Sequence, residues 1–144
     1  MSKIVLFLAA ALVAVGGGAA SASDQLSRTT VTVGPSAYGK ILFDGTGRAL
    51  YAFTRDPRGR SVCAGKCAKT WPPYLVTGRP KAGTGVNASL VGTTKRAGGK
   101  VQATYGGRPL YYYVGDSVGQ VRCQSVKEFG GLWLVLPSSG RLVR

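Results

Sequence analysis

The sequence predicts an all-β protein made of two internally repeated antiparallel β units, packed as a small sandwich or barrel-like domain with pseudo-two-fold symmetry. Three observations carry that expectation. The stretch Gly39 to Asp56 (GKILFDGTGRALYAFTRD) recurs sixty positions later as Gly99 to Asp116 (GKVQATYGGRPLYYYVGD), with 7 identities in 18 ungapped positions. Self-similarity at a fixed offset marks a duplicated structural unit. Each copy places two short apolar-rich runs around glycines, which is the pattern of a β-hairpin. Helical periodicity is absent after the N-terminal region, so nothing competes with the strand reading.

The chain begins with Lys3, an apolar run of 12 from Ile4 to Val15, and the small residues Ala20-Ser21-Ala22. This is the pattern of a secretory signal peptide over residues 1–22, cleaved near Ala22. The apolar run is shorter than the roughly 20 residues of a spanning helix, and no later run approaches that length, so no transmembrane segment is expected after signal removal. Residues 23–30 read as a flexible tail. Residues 31–144 form a single β domain, with repeats at about 36–76 and 98–136 joined by a loop over 77–97 that is rich in Gly, Lys, Arg and Thr.

Within the domain, the β-branched run Thr29 to Val33 is the first strand candidate, stopped by Gly34-Pro35. Lys40 to Asp44 and Ala49 to Thr54 flank Gly45-Thr46-Gly47 as the first hairpin. Lys100 to Tyr105 and Pro109 to Val114 flank Gly106-Gly107 as the second, where both glycines can take positive φ. Pro109 lacks an amide donor and should open its strand or lie at an edge. Each copy then reaches Asp-x-x-Gly, at Asp56 to Gly59 and Asp116 to Gly119. These read as type I turns whose carboxylates accept from the amides that follow. Leu132 to Leu136 and Arg141 to Val143 suggest a closing hairpin. Strand parity sends Leu50 and Ala52 to one face and Tyr51 and Phe53 to the other, and in the second copy sets Tyr111 and Tyr113 opposite Leu110 and Tyr112. Tyr51, Phe53, Tyr111 and Tyr113 are thus expected in the core, a ligand-facing aromatic wall being the other reading.

Without Lys3 the chain carries 18 basic residues against five acids, a formal charge of +13. Such an excess attracts anionic polymers whatever the fold. The bases form no run of five or six, which argues against a dedicated nucleic-acid site. Three cysteines, Cys63, Cys67 and Cys123, are disulfide candidates in an exported protein, and an odd count leaves one thiol over. A local Cys63–Cys67 bridge and a Cys63–Cys123 bridge across the repeat both stay open. A free thiol beside Lys66 and Lys69 would have its thiolate favoured. The absence of histidine removes the commonest metal ligand and general base. No metal, no cofactor and no catalytic residue is therefore expected.

Both copies fit Tyr-x-aromatic-x-x-Asp, as Tyr51 to Asp56 and as Tyr111 to Asp116. With Cys63-x3-Cys67, Trp71-Pro72-Pro73, Gly107-Arg108-Pro109-Leu110 and Gly131-Leu132-Trp133, the chain resembles the bacterial secreted repeat family named for its Tyr-x4-Asp motif. The resemblance spans about residues 36–140. Many members of that family are predicted lipoproteins, whereas this sequence has no lipobox cysteine. The resemblance implies an exported, duplicated protein and brings no activity or functional residues with it.

Together these readings lead to a secreted, non-enzymatic extracellular or cell-envelope protein whose basic surface binds an anionic component, such as an envelope polymer or lipid head groups. Tyr51, Phe53, Asp56, Tyr111, Tyr113 and Asp116 are the motif residues that would meet a ligand. Two alternatives differ in kind: a thiol or metal function of the cysteines, and a hydrolase in which Asp56 and Asp116 act as a carboxylate pair.

Overall fold

A computed structural model of the chain describes residues 16–19, 21–23 and 29–144. Most of the expected leader and tail lies outside the described residues. Among those residues no helix is long and apolar enough to cross a membrane.

The elements are β1 (Thr30–Ser36), β2 (Gly39–Asp44), β3 (Tyr51–Phe53), α1 (Lys66–Thr70), β4 (Leu75–Val76), β5 (Lys81–Ala82), β6 (Val91–Lys95), β7 (Val101–Tyr105), β8 (Arg108–Pro109), β9 (Val126–Glu128) and β10 (Gly131–Val135). They form three small open sheets, β2-β1-β5, β3-β10-β9 and β4-β7-β6, with β8 paired to β7. The all-β, two-repeat architecture is as expected, and no sheet closes into a barrel. All pairings are antiparallel except that of β1 with β5.

The pseudo-two-fold axis passes between Tyr51 and Tyr111. Tyr51 N donates to Tyr111 O and Tyr111 N donates to Tyr51 O, both at 2.9 Å. Away from the axis the turns exchange partners in the same reciprocal way. Gly59 N reaches Gly107 O at 2.7 Å, and Gly119 N reaches Gly47 O at 2.8 Å. Each Asp-x-x-Gly turn therefore docks on the hairpin turn of the other copy.

Parity divides the core as the sequence predicts. Leu50, Ala52 and Leu110 join Leu42, Ala103, Tyr74 and Leu136 on one side, while Tyr51, Phe53 and Tyr111 join Ile41, Trp71, Trp133 and Val135 on the other. The second cluster is built on stacked rings. Trp71 and Trp133 lie face to face with centroids 4.0 Å apart and planes 3° from parallel. Phe53 stacks on the outer side of Trp133 at 4.2 Å and Tyr113 tilts against Trp71 at 5.0 Å. Tyr51 meets Trp71 edge-on and Tyr111 meets Trp133 likewise. Both indole N–H groups find acceptors on Glu128, Trp71 on its carboxylate at 2.8 Å and Trp133 on its backbone carbonyl at 3.3 Å.

Three details depart from the sequence reading. The segment 77–97 is no plain loop: it holds β5, a 3-10 turn over Ala88–Leu90, and β6, which pairs with β7 from Val91↔Tyr105 to Lys95↔Val101. β6 is the second-copy counterpart of β1, which pairs with β2 from Val31↔Asp44, so each repeat is a three-strand unit that begins earlier than expected. Polar Gly92, Thr93 and Thr94 hid it, because one face of this strand is solvated. Next, the hairpin that closes the chain is β9 with β10, and the segment after β10 returns by a single bond, Val143 N to Val135 O at 3.2 Å.

The third departure concerns the ungapped offset. Leu42 N bonds Leu136 O and accepts from Leu50 N through its carbonyl, and the residue that does the same with Tyr74 and Leu110 is Ala103. The first strand of the hairpin is thus matched at an offset of 61, and the stretch from Arg48 and Arg108 through the Asp-x-x-Gly turns at 60. The missing residue is in the turn, three residues long between Asp44 and Arg48 and two between Tyr105 and Arg108. Gly39-Lys40 and Gly99-Lys100 coincide in the ungapped sequence but not in the fold.

Deleting half of the indole stack tests its weight. Trp133→Ala should lower the urea-unfolding free energy by about 3–5 kcal/mol and abolish the far-ultraviolet exciton couplet of two stacked indoles. A variant that keeps either the stability or the couplet would refute the stacked-indole core.

Candidate functional site

The motif residues converge at the axis, and they do so crosswise. Tyr51 Oη donates to Asp116 Oδ2 and Tyr111 Oη donates to Asp56 Oδ2, each at 2.6 Å. The other carboxylate oxygens accept from backbone amides six residues on, Asp56 Oδ1 from Val62 N at 2.7 Å and Asp116 Oδ1 from Arg122 N at 3.0 Å. The tyrosine of each copy is therefore tied to the aspartate of the other.

The carboxylates do accept from amides that follow them, as the sequence predicts, but they also bond across the repeats, which the turn reading leaves out. The turn bonds are made by backbone, Arg60 N to Pro57 O and Gln120 N to Ser117 O, while the carboxylates join the repeats. Tyr51, Phe53 and Tyr111 are fully buried, Asp116 nearly so, and Tyr113 and Asp56 are half-buried. On the Asp56 side a polar network extends inward. Ser61 Oγ lies 2.6 Å from Tyr111 Oη, and the Arg96 guanidinium donates to Ser61 Oγ, Gln102 Oε1 and Cys63 O.

Burial pushes the Asp56 carboxyl up, against the opposing pull of the Tyr111 hydroxyl, the Val62 amide and Arg96. Burial, followed by the carboxylate each one bonds, holds the phenols of Tyr51 and Tyr111 far above the usual tyrosine range.

Cys63 and Cys67 form the local disulfide, with Cα atoms 5.3 Å apart, and Cys123 is free. The bridge across the repeat is not made. Nor does the free thiol sit beside Lys66 and Lys69. Burial pushes the Cys123 thiol up, with Asp116 and Glu128 adding to the rise, which is the opposite of activation. Among the described residues no three His, Cys, Asp or Glu side chains gather as a metal site.

Sequence reasoning missed one polar centre, at the first hairpin turn. Asp44 is buried, and its Oδ1 accepts from Thr46 N, Thr46 Oγ1 and Arg48 N while its Oδ2 accepts from Tyr112 Oη at 2.8 Å. The Arg48 guanidinium covers the Tyr112 ring at 4.3 Å. Beside them, Pro72, Pro73 and Leu75 complete a groove of about 550 Å³. The signal was Asp-x-Thr-x-Arg across a hairpin turn, where a carboxylate can cap the turn amides.

Every acidic side chain among the described residues is engaged. Asp44, Asp56, Asp116 and Glu128 accept from tyrosine, threonine and indole donors and from backbone amides, and none accepts a hydrogen bond from a Lys or Arg side chain. Where guanidinium groups bond, they bond to neutral oxygens: Arg48 to Tyr113 O, Arg55 to Phe129 O, Arg58 to Gly106 O and Arg79 to Ala88 O.

The duplication and its crossed motif residues coincide with a family model described as a secreted repeat of unknown function, which matches residues 32–74 and 92–136. The chain belongs to this family. Its two matched segments begin within β1 and β6, the strands that open the two structural repeats. No curated protein and no solved structure matches the chain. Family membership makes this an extracellular protein.

Tyr51→Phe removes one crossed bond and leaves Asp116 Oδ2 without its donor, which should cost about 1–3 kcal/mol at pH 7. The folded-state phenol stands above the unfolded value of about 10, so the stability it contributes is whole below that pH and is lost as pH rises past it. Urea midpoints from pH 7 to 11 should therefore fall less steeply for the variant than for the parent. Equal midpoints and equal slopes would rule out the crossed pairing. A thiol titration of the unfolded, unreduced protein should count one reactive cysteine per chain, and a count of three would exclude the disulfide.

Proposed function

We propose that this secreted protein acts by binding, without catalysis, an anionic component of the cell envelope through its basic surface. The observation that carries the reading is the confinement of the carboxylates. Residues 29–144 hold 17 of the 19 Lys and Arg residues and four of the five acids. The four acids spend their hydrogen bonds on neutral donors inside or at the margin of the core. Lys40, Arg58, Lys69, Lys95, Lys100 and Arg122 are among the exposed cations, and none of their side chains hydrogen-bonds to an acid. A surface of one sign draws polyanions from beyond contact range and holds them in proportion to the charges neutralised.

The arrangement of the motif supports the non-catalytic part of the reading. Both oxygens of Asp56 and both of Asp116 are engaged, each pair by a phenol and an amide, so a carboxylate pair acting on one bond would first have to break the contacts that join the repeats. The raised thiol of Cys123 likewise suits a structural residue better than a nucleophile.

Retention on purified envelopes across a salt titration tests the proposal, with an unrelated protein of similar size and charge as control. This protein should remain bound at salt concentrations that release the control. Release of both at the same ionic strength would reduce the binding to charge alone and sink the proposal of a specific envelope role.

A further inference from the structure

We propose that the second hairpin turn is a phosphate-binding site in which Arg58 and Arg108 together hold one tetrahedral oxyanion. The inference rests on the envelope-binding reading and names the anion that the basic surface takes.

The site is built by the crossed docking of the turns. Gly59 N is bonded to Gly107 O, and Thr94 Oγ1 donates to Gly59 O at 2.6 Å, which fixes the Pro57–Arg60 turn against the second hairpin. Arg58 lies along the two turn glycines: its Nη1 donates to Gly106 O, and a Cβ placed on Gly107 would be 3.5 Å from Arg58 Cβ. Both glycines have positive φ, 57° and 75°, a conformation that favours glycine, and the arginine stem lies against them. Arg108 follows directly. Its Nε is buried and has no hydrogen-bond partner, a costly state for a charged donor. Burial, followed by the neighbouring Arg58, lowers the pKa of the Arg108 guanidinium, so the two cations press on each other.

The first copy supplies an internal control. There Val118 occupies the place of Arg58, and a Cβ on Gly47 would meet its Cγ1 at 3.0 Å. Arg48 occupies the place of Arg108, and it has a carboxylate in its own turn, since Asp44 accepts from its amide and from the Tyr112 hydroxyl beneath its guanidinium. In the second copy the Asp44 position is Tyr105, whose hydroxyl is taken up by Asn87 N and Ser138 O. One turn therefore carries an arginine with a built-in anion, and the other carries two arginines and none.

The chemistry selects phosphate. A carboxylate has two oxygens, which one guanidinium fork fills, whereas a phosphate offers three or more and can be shared by two forks. Two adjacent positive charges also suit an anion that carries up to two negative ones.

The intact secreted protein should bind inorganic phosphate saturably in an isothermal titration, with the Arg108 Nε–Hε resonance shifting as the site fills. Arg58→Val, which copies the first repeat and should leave the fold intact, should weaken binding at least tenfold. Lys127→Ala, an exposed charge on β9, should change it less than twofold. Dimethyl phosphate in place of inorganic phosphate separates the sources: binding of both supports a phosphodiester polymer as the natural ligand, and binding of inorganic phosphate alone supports a free phosphate or monoester. Absence of saturable binding, an unmoved Arg108 resonance, or equal weakening by the two variants would each overturn the proposal. Wild-type envelope retention is read separately, so a failed phosphate site is distinguishable from a failed envelope role.

Discussion

The fold depends on one pair of backbone hydrogen bonds, exchanged between Tyr51 and Tyr111 across the pseudo-two-fold axis. Because the two segments run antiparallel at that point, each tyrosine side chain is carried past the axis into the territory of the other repeat. There its hydroxyl would be buried without a partner if the aspartate five residues beyond the other tyrosine were absent. The Tyr-x4-Asp spacing is thus a statement about two repeats at once. Five residues is the distance from the axis to the point where the chain has turned back far enough to meet the phenol of its partner. The amide six residues past each aspartate then fills the second carboxylate oxygen.

Stacked indoles follow from the same symmetry. A residue near a two-fold axis packs against its own counterpart, and Trp71 and Trp133 are placed there by segments that leave each motif turn and come back. Flat rings of equal size can lie face to face across an axis without either displacing the other. Glu128 then resolves a problem that symmetry creates, two indole N–H groups in one buried region. It does so with its side chain for one and its backbone for the other. That solution is asymmetric, and it consumes another carboxylate. The core thereby removes acids from the surface. Interior polar demands, not surface composition alone, are what leave the exterior so strongly basic.

The sequence made the duplication, the strand faces and the buried aromatics readable because these depend on local alternation and on residue identity. Leu50 and Tyr51 went to opposite clusters as period-two geometry requires. The crossing of Tyr51 to Asp116 was not readable, since a tyrosine and an aspartate five residues apart look like neighbours in one copy and nothing local says they belong to different units. The strand β6 was missed for a related reason: with Gly92, Thr93 and Thr94 it lacks apolar alternation and is held by its pairing with β7. The one-residue slip between the first strands escaped because Gly39-Lys40 and Gly99-Lys100 match by chance of composition, while the deletion sits in a glycine turn that tolerates either length. Of the candidate site, the burial of Tyr51, Phe53 and Tyr111 is legible from strand parity, whereas the grouping of Asp44 with Arg48 and of Arg58 with Arg108 depends on how the turns dock and has no local signature.

Duplicated proteins are held most closely to their symmetry at the axis, where a residue packs against its own counterpart, and are freer to lose it away from the axis. Here the axis is nearly faithful: tyrosine on tyrosine, indole on indole, carboxylate to phenol in both directions. The hairpin turns at the rim differ: the second is one residue shorter and has Tyr105 where the first has Asp44. A turn without the acid would be expected to do without the base as well, since an unpaired charge near the surface of the core is a liability. The second turn instead keeps Arg108 with a buried, unbonded Nε and sets Arg58 beside it. A cost sustained at one turn and avoided at its twin locates the part of the molecule that the fold itself does not explain.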